Sequence, residues 1–303
     1  SSAQANQIIA EISSPSANYD IMKLEKYPRI AVYSPKSKLP WDDAVTLVLT
    51  YAEIPYDIIF DDEVMTGQLP KYDWLHLHHE DFTGQYGKFY VNYSNMPWYI
   101  EQQKEAEDLA RKYGFHKVSQ LKLSVAKKIK EFVTGGGFMF AMCSATDTYD
   151  IALAAEGIDI CDRYYDGDPA DPHAQEKLNY ENALAFTNFK LERNPLQYEF
   201  SDIDNQPTER GLRQDNDYFS LFEFSAKWDP IPTMLTQNHT RVIKGFFGQT
   251  TGFKSQLVKP DVLVMGENKQ IKETKYIHGI LGKGFWTYYG GHDPEDYQHQ
   301  VGE

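Results

Sequence analysis

Short apolar runs separated by stretches of helical period organise the first half of this 303-residue chain. Arg29-Ile30-Ala31-Val32-Tyr33 has the length and composition of a buried strand, and Ile54 to Phe60 and Trp74 to His78 repeat the pattern. Between the first two, Pro40-Trp41-Asp42-Asp43 opens a helix over Ala44 to Ala52, with Asp42 or Asp43 in its first turn. A longer helix is predicted from Pro97 or Trp98 to Tyr113. Another runs from Ser119 to Phe132 and is ended by Gly135-Gly136-Gly137. In this helix Val125, Ile129, Phe132 and Val133 form the inward stripe, and the basic run Lys122 to Lys130 reads as the solvated face. The alternation predicts a parallel sheet covered by helices on both faces, with ligands bound at the carboxyl ends of its strands.

From Leu178 onward strand patterns dominate: Ala183 to Phe189, Phe219 to Phe224, Thr233 to Leu235, Val242 to Phe247, Val262 to Met265 and Phe285 to Tyr289. No linker, repeat or low-complexity tract interrupts the chain. The expected organisation is one α/β domain over residues 20–303 with a β-rich insertion at about 178–260, preceded by an N-terminal extension, residues 1–19, in which residues 6–12 read as a short helix end. Asp162 to His173 is rich in Asp but lacks the spacing of a calcium loop, and reads as an acidic surface loop.

Charge narrows the partners. Thirty basic residues against 44 acidic give a net charge of −14, which disfavours nucleic acid and anionic membranes. No apolar run reaches the length needed for membrane insertion. A small-molecule ligand is therefore the expected partner, with the oligomeric state left open. Two cysteines, Cys143 and Cys161, are too few for a disulfide framework. The polar start Ser1-Ser2-Ala3-Gln4-Ala5 suits a trimmed terminus, so a cytoplasmic location and export with a removed signal peptide both stay open.

The chemistry is concentrated in two segments. Phe138-Met139-Phe140-Ala141-Met142-Cys143-Ser144-Ala145-Thr146-Asp147 places a cysteine where an apolar strand turns into a helix, with small residues two positions to either side, as a nucleophile elbow requires. The helix dipole and free N–H groups there lower a thiol's pKa and can hold an oxyanion. Cys143 is thus expected at the base of a pocket, open to reagents, with backbone N–H groups of Ser144 and near His79 as oxyanion donors. The competing reading is a small buried hydrophobe. Near the other end, Phe285 to Tyr289 delivers His292 with Asp293, Glu295 and Asp296 following. A Cys/His/acid relay needs such a partner from distant sequence: His292 as base, and Glu295 or Asp293 as the acid that orients it.

Taken together, these segments resemble the class I glutamine amidotransferase-like superfamily, which implies a flavodoxin-like parallel sheet with helices on both faces, Cys143 as nucleophile and His292 as base. In that family the elbow usually carries Gly where this chain has Ala141 and Ala145, and one residue separates His from Glu, against two between His292 and Glu295. The acid is therefore Glu295, Asp293 or neither. A resemblance over nearly the whole chain rests on Trp74-Leu-His-Leu-His-His-Glu-Asp-Phe-Thr-Gly-Gln-Tyr-Gly87, Phe140-Ala-Met-Cys-Ser-Ala-Thr-Asp147 and Tyr289-Gly-Gly-His-Asp-Pro-Glu-Asp-Tyr297. These runs look like a bacterial family often labelled asparagine synthetase B. That activity implies an N-terminal cysteine and a Ser-Gly-Gly-x-Asp-Ser pyrophosphatase loop; the chain begins Ser1-Ser2 and has no such loop, so the resemblance is taken and the activity is not. Members of the family extend beyond both ends of this chain, which is accordingly expected to be part of a longer product.

His76, His78, His79, Glu80 and Asp81 cluster at the end of one strand. His76 and His78 share one face and Leu75 and Leu77 the other. His78, His79 and Glu80 could hold zinc or iron; the alternative is a hydrogen-bonded pocket wall with no cofactor. His239 reads as a turn histidine and His278 as structural. Tyr86, Phe89, Tyr90, Tyr93, Trp98 and Tyr99 could stack sugars or simply pack on one another. Three functions follow: an amidotransferase-like hydrolase or acyl-transfer enzyme acting on a small amide or ester, a non-catalytic carbohydrate or small-ligand module of the trehalose-utilisation (ThuA-like) type, or a metal-dependent hydrolase.

Overall fold

The computed structural model describes residues 28–36, 44–205, 210–213, 216–221, 242–245 and 250–291. The chain divides into two compact units, and apart from Pro28 the described residues all belong to one of them, Arg29–Phe222 with Thr240–Glu303. That unit is mixed α/β, built on one ten-stranded sheet.

Half of the sheet is parallel. Its strands are β1 (Ile30–Tyr33), β2 (Tyr56–Ile59), β3 (Trp74–Leu77), β4 (Phe138–Met142) and, much later in the chain, β10 (Gly284–Tyr289). They lie in the order β2-β1-β3-β4-β10, every neighbouring pair parallel. Helices connect them: α1 (Ala44–Tyr51) after β1, α2 (Asp61–Met65) after β2, α3 (Pro97–Lys112) and α4 (Val118–Thr134) after β3, and α5 (Ser144–Ala154) after β4. The predicted strands and long helices of this half are present, each within a few residues of its expected ends. Gly137 closes α4 onto β4 so tightly that a Cβ there would meet the Phe132 ring at 2.3 Å.

The other half is antiparallel: β5 (Tyr218–Leu221), β6 (Val242–Lys244), β7 (Phe253–Lys254), β8 (Leu263–Asn268) and β9 (Glu273–Leu281). β9 joins β10, and the order continues β8-β5-β6, with β7 pairing to β9. Only Gly282 and Lys283 separate β9 from β10. Of the two only Gly282 has positive φ (62°), the pattern of a type II′ hairpin turn.

Alternation along the parallel strands sorts the core. Ala31, Tyr33, Leu75, Leu77, Met139, Ala141, Trp286 and Tyr288 point into one large buried cluster with the inner faces of α4 and α5. Ile30 and Val32 point the other way and pack with Leu49 and Val45 of α1. Burying these side chains is the main favourable term in the fold, at about 1.5–3 kcal/mol for each large residue.

Three expectations are corrected. Ala183 to Phe189 is not a strand: apart from a single bridge, Phe186 to Val258, the N–H groups of Leu184, Ala185 and Phe186 donate to the Asp150 carboxylate instead of to a neighbouring strand. Lys122 is not on a solvated face. It is buried, its ammonium 2.9 Å from Asp61 Oδ2 and 4.4 Å from the Phe60 ring centroid. The acidic stretch after Asp162 is not a plain loop, because Arg163–Asp166 forms a helical turn and Lys117 draws its carboxylates together. Lys117 Nζ lies 2.6 Å from Asp159, 3.0 Å from Asp166 and 2.5 Å from Asp168.

Candidate functional site

Cys143 is the first residue after β4 and immediately precedes α5. Its backbone takes φ 51° and ψ −142°, a conformation near the region that only glycine occupies freely and one that costs about 1–3 kcal/mol. The turn is locked from several sides. Thr146 donates both its N–H (3.2 Å) and its hydroxyl (2.6 Å) to the Cys143 carbonyl. Ser144 Oγ donates to the His79 carbonyl at 3.0 Å, and Thr148 Oγ1 to the Glu80 carbonyl at 3.1 Å. The first turn of α5 therefore clamps the loop that follows β3. Ala141 and Ala145 are fully buried.

The expectation that Cys143 is open to reagents is corrected: it is 1% exposed. Every residue of α5 is buried, so the residue capping that helix is covered with it. Cys161, also buried, donates its thiol to the Thr83 carbonyl at 3.2 Å, and burial holds its pKa well above the ordinary value.

The β4–β10 pairing bears on the second segment. Met142 is the register partner of Tyr289, so Cys143 and Gly290 each begin the chain leaving one of two adjacent parallel strands, about 5 Å apart by ordinary sheet spacing. Gly290 and Gly291 are the last described residues; His292, Asp293 and Glu295 lie outside them, as does His239.

The strand β3 alternates as expected. Leu75 and Leu77 enter the core, while His76 stacks on Phe140 at 5.2 Å and His78 follows on the same face. His78 and His79 have ring centroids 4.2 Å apart. Glu80 folds back so that its carboxylate accepts the His78 N–H at 2.8 Å. Among the described residues, His78, His79 and Glu80 do not form a three-ligand metal cluster. The group with metal-like spacing is Asp159, Cys161 and Asp166, within 4.8 Å of one another, and there the Lys117 ammonium already sits against both aspartates. The aromatic group packs on itself, with Phe89, Tyr93 and Trp98 centroids 5.3–6.1 Å apart. His278 is structural: its ring bonds Thr287 at 3.1 Å, and burial lowers its pKa.

A cavity of about 470 Å³ opens at the carboxyl ends of β1, β2 and β3. His79, Glu80 and Asp81 form one wall, α2 a second, and α3 and α4 the far side. Cys143 is not in its walls, but the loop clamped by Ser144 and Thr148 is.

Sequence reasoning missed a buried acid pair, Asp147 in the first turn of α5 and the distant Asp204. Thr250, held at φ 55°, donates its hydroxyl to Asp147 Oδ1 at 2.9 Å and its N–H to Asp204 Oδ2 at 2.8 Å. Burial first, and the neighbouring Asp204 charge second, hold Asp147 well above the usual carboxyl range, while burial pushes Asp204 up to about 7. Lys88 is a second such group. Its Nζ donates to the carbonyls of Glu192 and Glu199, both at 2.7 Å, and burial lowers its pKa to about 8.

No family model and no curated protein matches the chain. Solved structures with a similar trace include a cytoplasmic protein, STM3548, from Salmonella typhimurium (9% identity, 90% of this chain and 91% of that one, TM-score 0.42). Another is the cytoplasmic protein STM1381 from Salmonella typhimurium LT2 (11%, 89% and 91%, TM-score 0.41). A catalytic mutant of Gan42B, a GH42 β-galactosidase from G. stearothermophilus, matches at 11% identity over 88% of this chain but 28% of its own, with TM-score 0.36.

Proposed function

We propose that the chain is a cysteine-dependent hydrolase or acyl-transfer enzyme of the class I glutamine amidotransferase-like type, with Cys143 in a nucleophile elbow. The observation that carries this reading is the backbone of Cys143: a non-glycine residue at φ 51°, ψ −142° on the strand-to-helix junction at the carboxyl edge of a parallel sheet. Strain of this kind persists where the surroundings enforce it, and an elbow nucleophile is a common reason for it. The strand order β2-β1-β3-β4-β10 supports the same reading, since it is the flavodoxin-like order with its fifth parallel strand supplied late in the chain.

In this chemistry Cys143 Sγ attacks the carbonyl carbon of an amide or ester while its proton passes to a base, His292 on sequence grounds. The carbonyl electrons collapse back, the leaving amine or alcohol takes the proton, and a thioester remains. Water or an acceptor then cleaves the thioester and restores the thiol. N–H groups at the start of α5, unpaired within the helix, suit the oxyanion.

Brief iodoacetamide treatment at neutral pH followed by mass spectrometry tests the reading. Cys143 is expected to alkylate faster than Cys161, whose raised pKa makes it the inert control. Equal or slower labelling of Cys143 would favour the second reading, a non-catalytic small-ligand module of the ThuA-like type. That reading draws on the burial of Cys143 and on a cavity whose walls omit it.

A further inference from the structure

We propose that the cavity at the carboxyl ends of β1–β3 binds a small aliphatic ammonium ligand that carries no carboxylate. This goes beyond the acyl-transfer reading and does not depend on the reactivity of Cys143. At about 470 Å³ the cavity falls within the range of small-molecule sites and accommodates a linear diamine.

Its charge sets the class of ligand. Six acidic residues line it, Asp61, Asp62, Glu63, Glu80, Asp81 and Glu105, against the lysines Lys36 and Lys122; Asp61 and Glu80 are buried in its wall, and the Asp81 carboxylate accepts the N–H groups of Thr83 and Gly87. Both lysines are engaged within the wall: Lys36 pairs with Glu63 and Lys122 with Asp61. Lys112 reaches Asp62 at 2.5 Å and adds a third. Among the described residues around the cavity, six acidic side chains therefore stand against three ammonium groups, and the surplus of negative charge favours a cation. The rings of Phe60, Tyr86 and Phe89, with Leu109 and Val118, supply apolar surface, and His79 and Gln102 add polar groups.

Carboxylates beside ring faces are the combination that solvates an alkylammonium. The protein contains its own precedent in the same wall. The head of Lys122 lies 2.9 Å from the Asp61 carboxylate and 4.4 Å from the centroid of Phe60. A second ammonium entering the cavity meets the same kind of surface. An α-amino acid or dicarboxylate brings an anionic group against this wall, and the net charge of −14 opposes the approach of a dicarboxylate as well.

The probe is 1,4-diaminobutane, titrated calorimetrically into the full chain at low salt, with glutamine and succinate as comparison ligands. Binding with a dissociation constant of about 1 mM or tighter is expected for the diamine and none for the other two. Glu105 is exposed on α3 at the mouth, so its replacement spares the core. Glu105→Lys is expected to weaken diamine binding by about tenfold, a loss of about 1.4 kcal/mol, whereas Glu101→Gln, one turn earlier and outside the cavity, leaves it unchanged. Cys143→Ala is expected to bind the diamine as the parent does. Absence of binding, equal affinity for glutamine or succinate, insensitivity to Glu105→Lys, or loss in Cys143→Ala would each overturn the proposal.

Discussion

Tyr288 of β10 donates its hydroxyl to Asp150 of α5 at 3.1 Å, and the same carboxylate accepts the N–H groups of Leu184, Ala185 and Phe186 at 2.7–2.9 Å. Four donors from two parts of the chain converge on one fully buried side chain. The arrangement fixes the 184–186 backbone beside α5 without adding a strand. Asp150→Asn keeps the volume but has a single acceptor oxygen and brings donors of its own. It is expected to lower the unfolding free energy by about 2–4 kcal/mol, the cost of stranding buried donors, read from urea midpoints. An unchanged midpoint would show that apolar contacts alone hold the segment.

The Asp147–Thr250–Asp204 bridge predicts a pH dependence. A carboxyl whose folded pKa is raised binds its proton more tightly in the native state. Its contribution is therefore fully present below the unfolded carboxyl range and is lost as pH rises through the folded pKa. For Asp204 the window runs from the ordinary value of 3.8 to about 7. Stability is expected to fall across that window, by at most about 1.4 kcal/mol per pH unit for one group. Asp204→Asn, neutral throughout, is expected to flatten the profile. Superimposable urea-midpoint profiles for the two proteins between pH 4 and 8 would refute the shift.

The difference between what was and was not legible beforehand lies in where polar groups are buried. β1, β3, β4 and β10 are apolar runs bounded by turn residues, and the position of Cys143 between a strand and a helix follows from them. Of β9, only the apolar stretch around His278 reads as a strand in the sequence. β9 begins with Glu273, Thr274 and Lys275, all fully or almost fully buried, with Arg210 bonded to Glu273 and Asp217, and Lys275 3.3 Å from Asp217. No hydropathy pattern marks a buried strand built on compensated charges. Lys122 escaped for the same reason, and Lys117 because its three aspartates lie 42 or more positions away in sequence. The cavity is formed by loops and helices that no local pattern brings together.

Lys117 supplies a third prediction. Its ammonium holds Asp159, Asp166 and Asp168, and their charges together with its hydrogen bonds raise its pKa against the opposing effect of burial. Lys117→Ala leaves these carboxylates facing one another and is expected to destabilise the chain by about 1–3 kcal/mol. It also leaves the carboxylates of Asp159 and Asp166 free for a hard cation. Millimolar calcium is therefore expected to restore part of the lost melting temperature in the variant and to leave the parent unaffected. A variant that calcium does not rescue would show that the cluster requires the lysine's own geometry.

The conformation of Cys143 can be tested apart from any chemistry. Away from special backbone positions, glycine is less favourable than alanine by about 0.5–1 kcal/mol because it loses more freedom on folding. At φ 51°, ψ −142° the order should invert, since alanine keeps the Cβ penalty that glycine escapes. Cys143→Gly is expected to be more stable than Cys143→Ala by about 1 kcal/mol in urea denaturation. Both substitutions remove the same thiol from the same 1%-exposed site, so lost sulfur contacts cancel in the comparison and the difference reports the backbone. The reverse order would mean that the turn relaxes when the side chain is removed, and the strain that carries the nucleophile reading would then belong to the cysteine's packing rather than to the strand–helix junction.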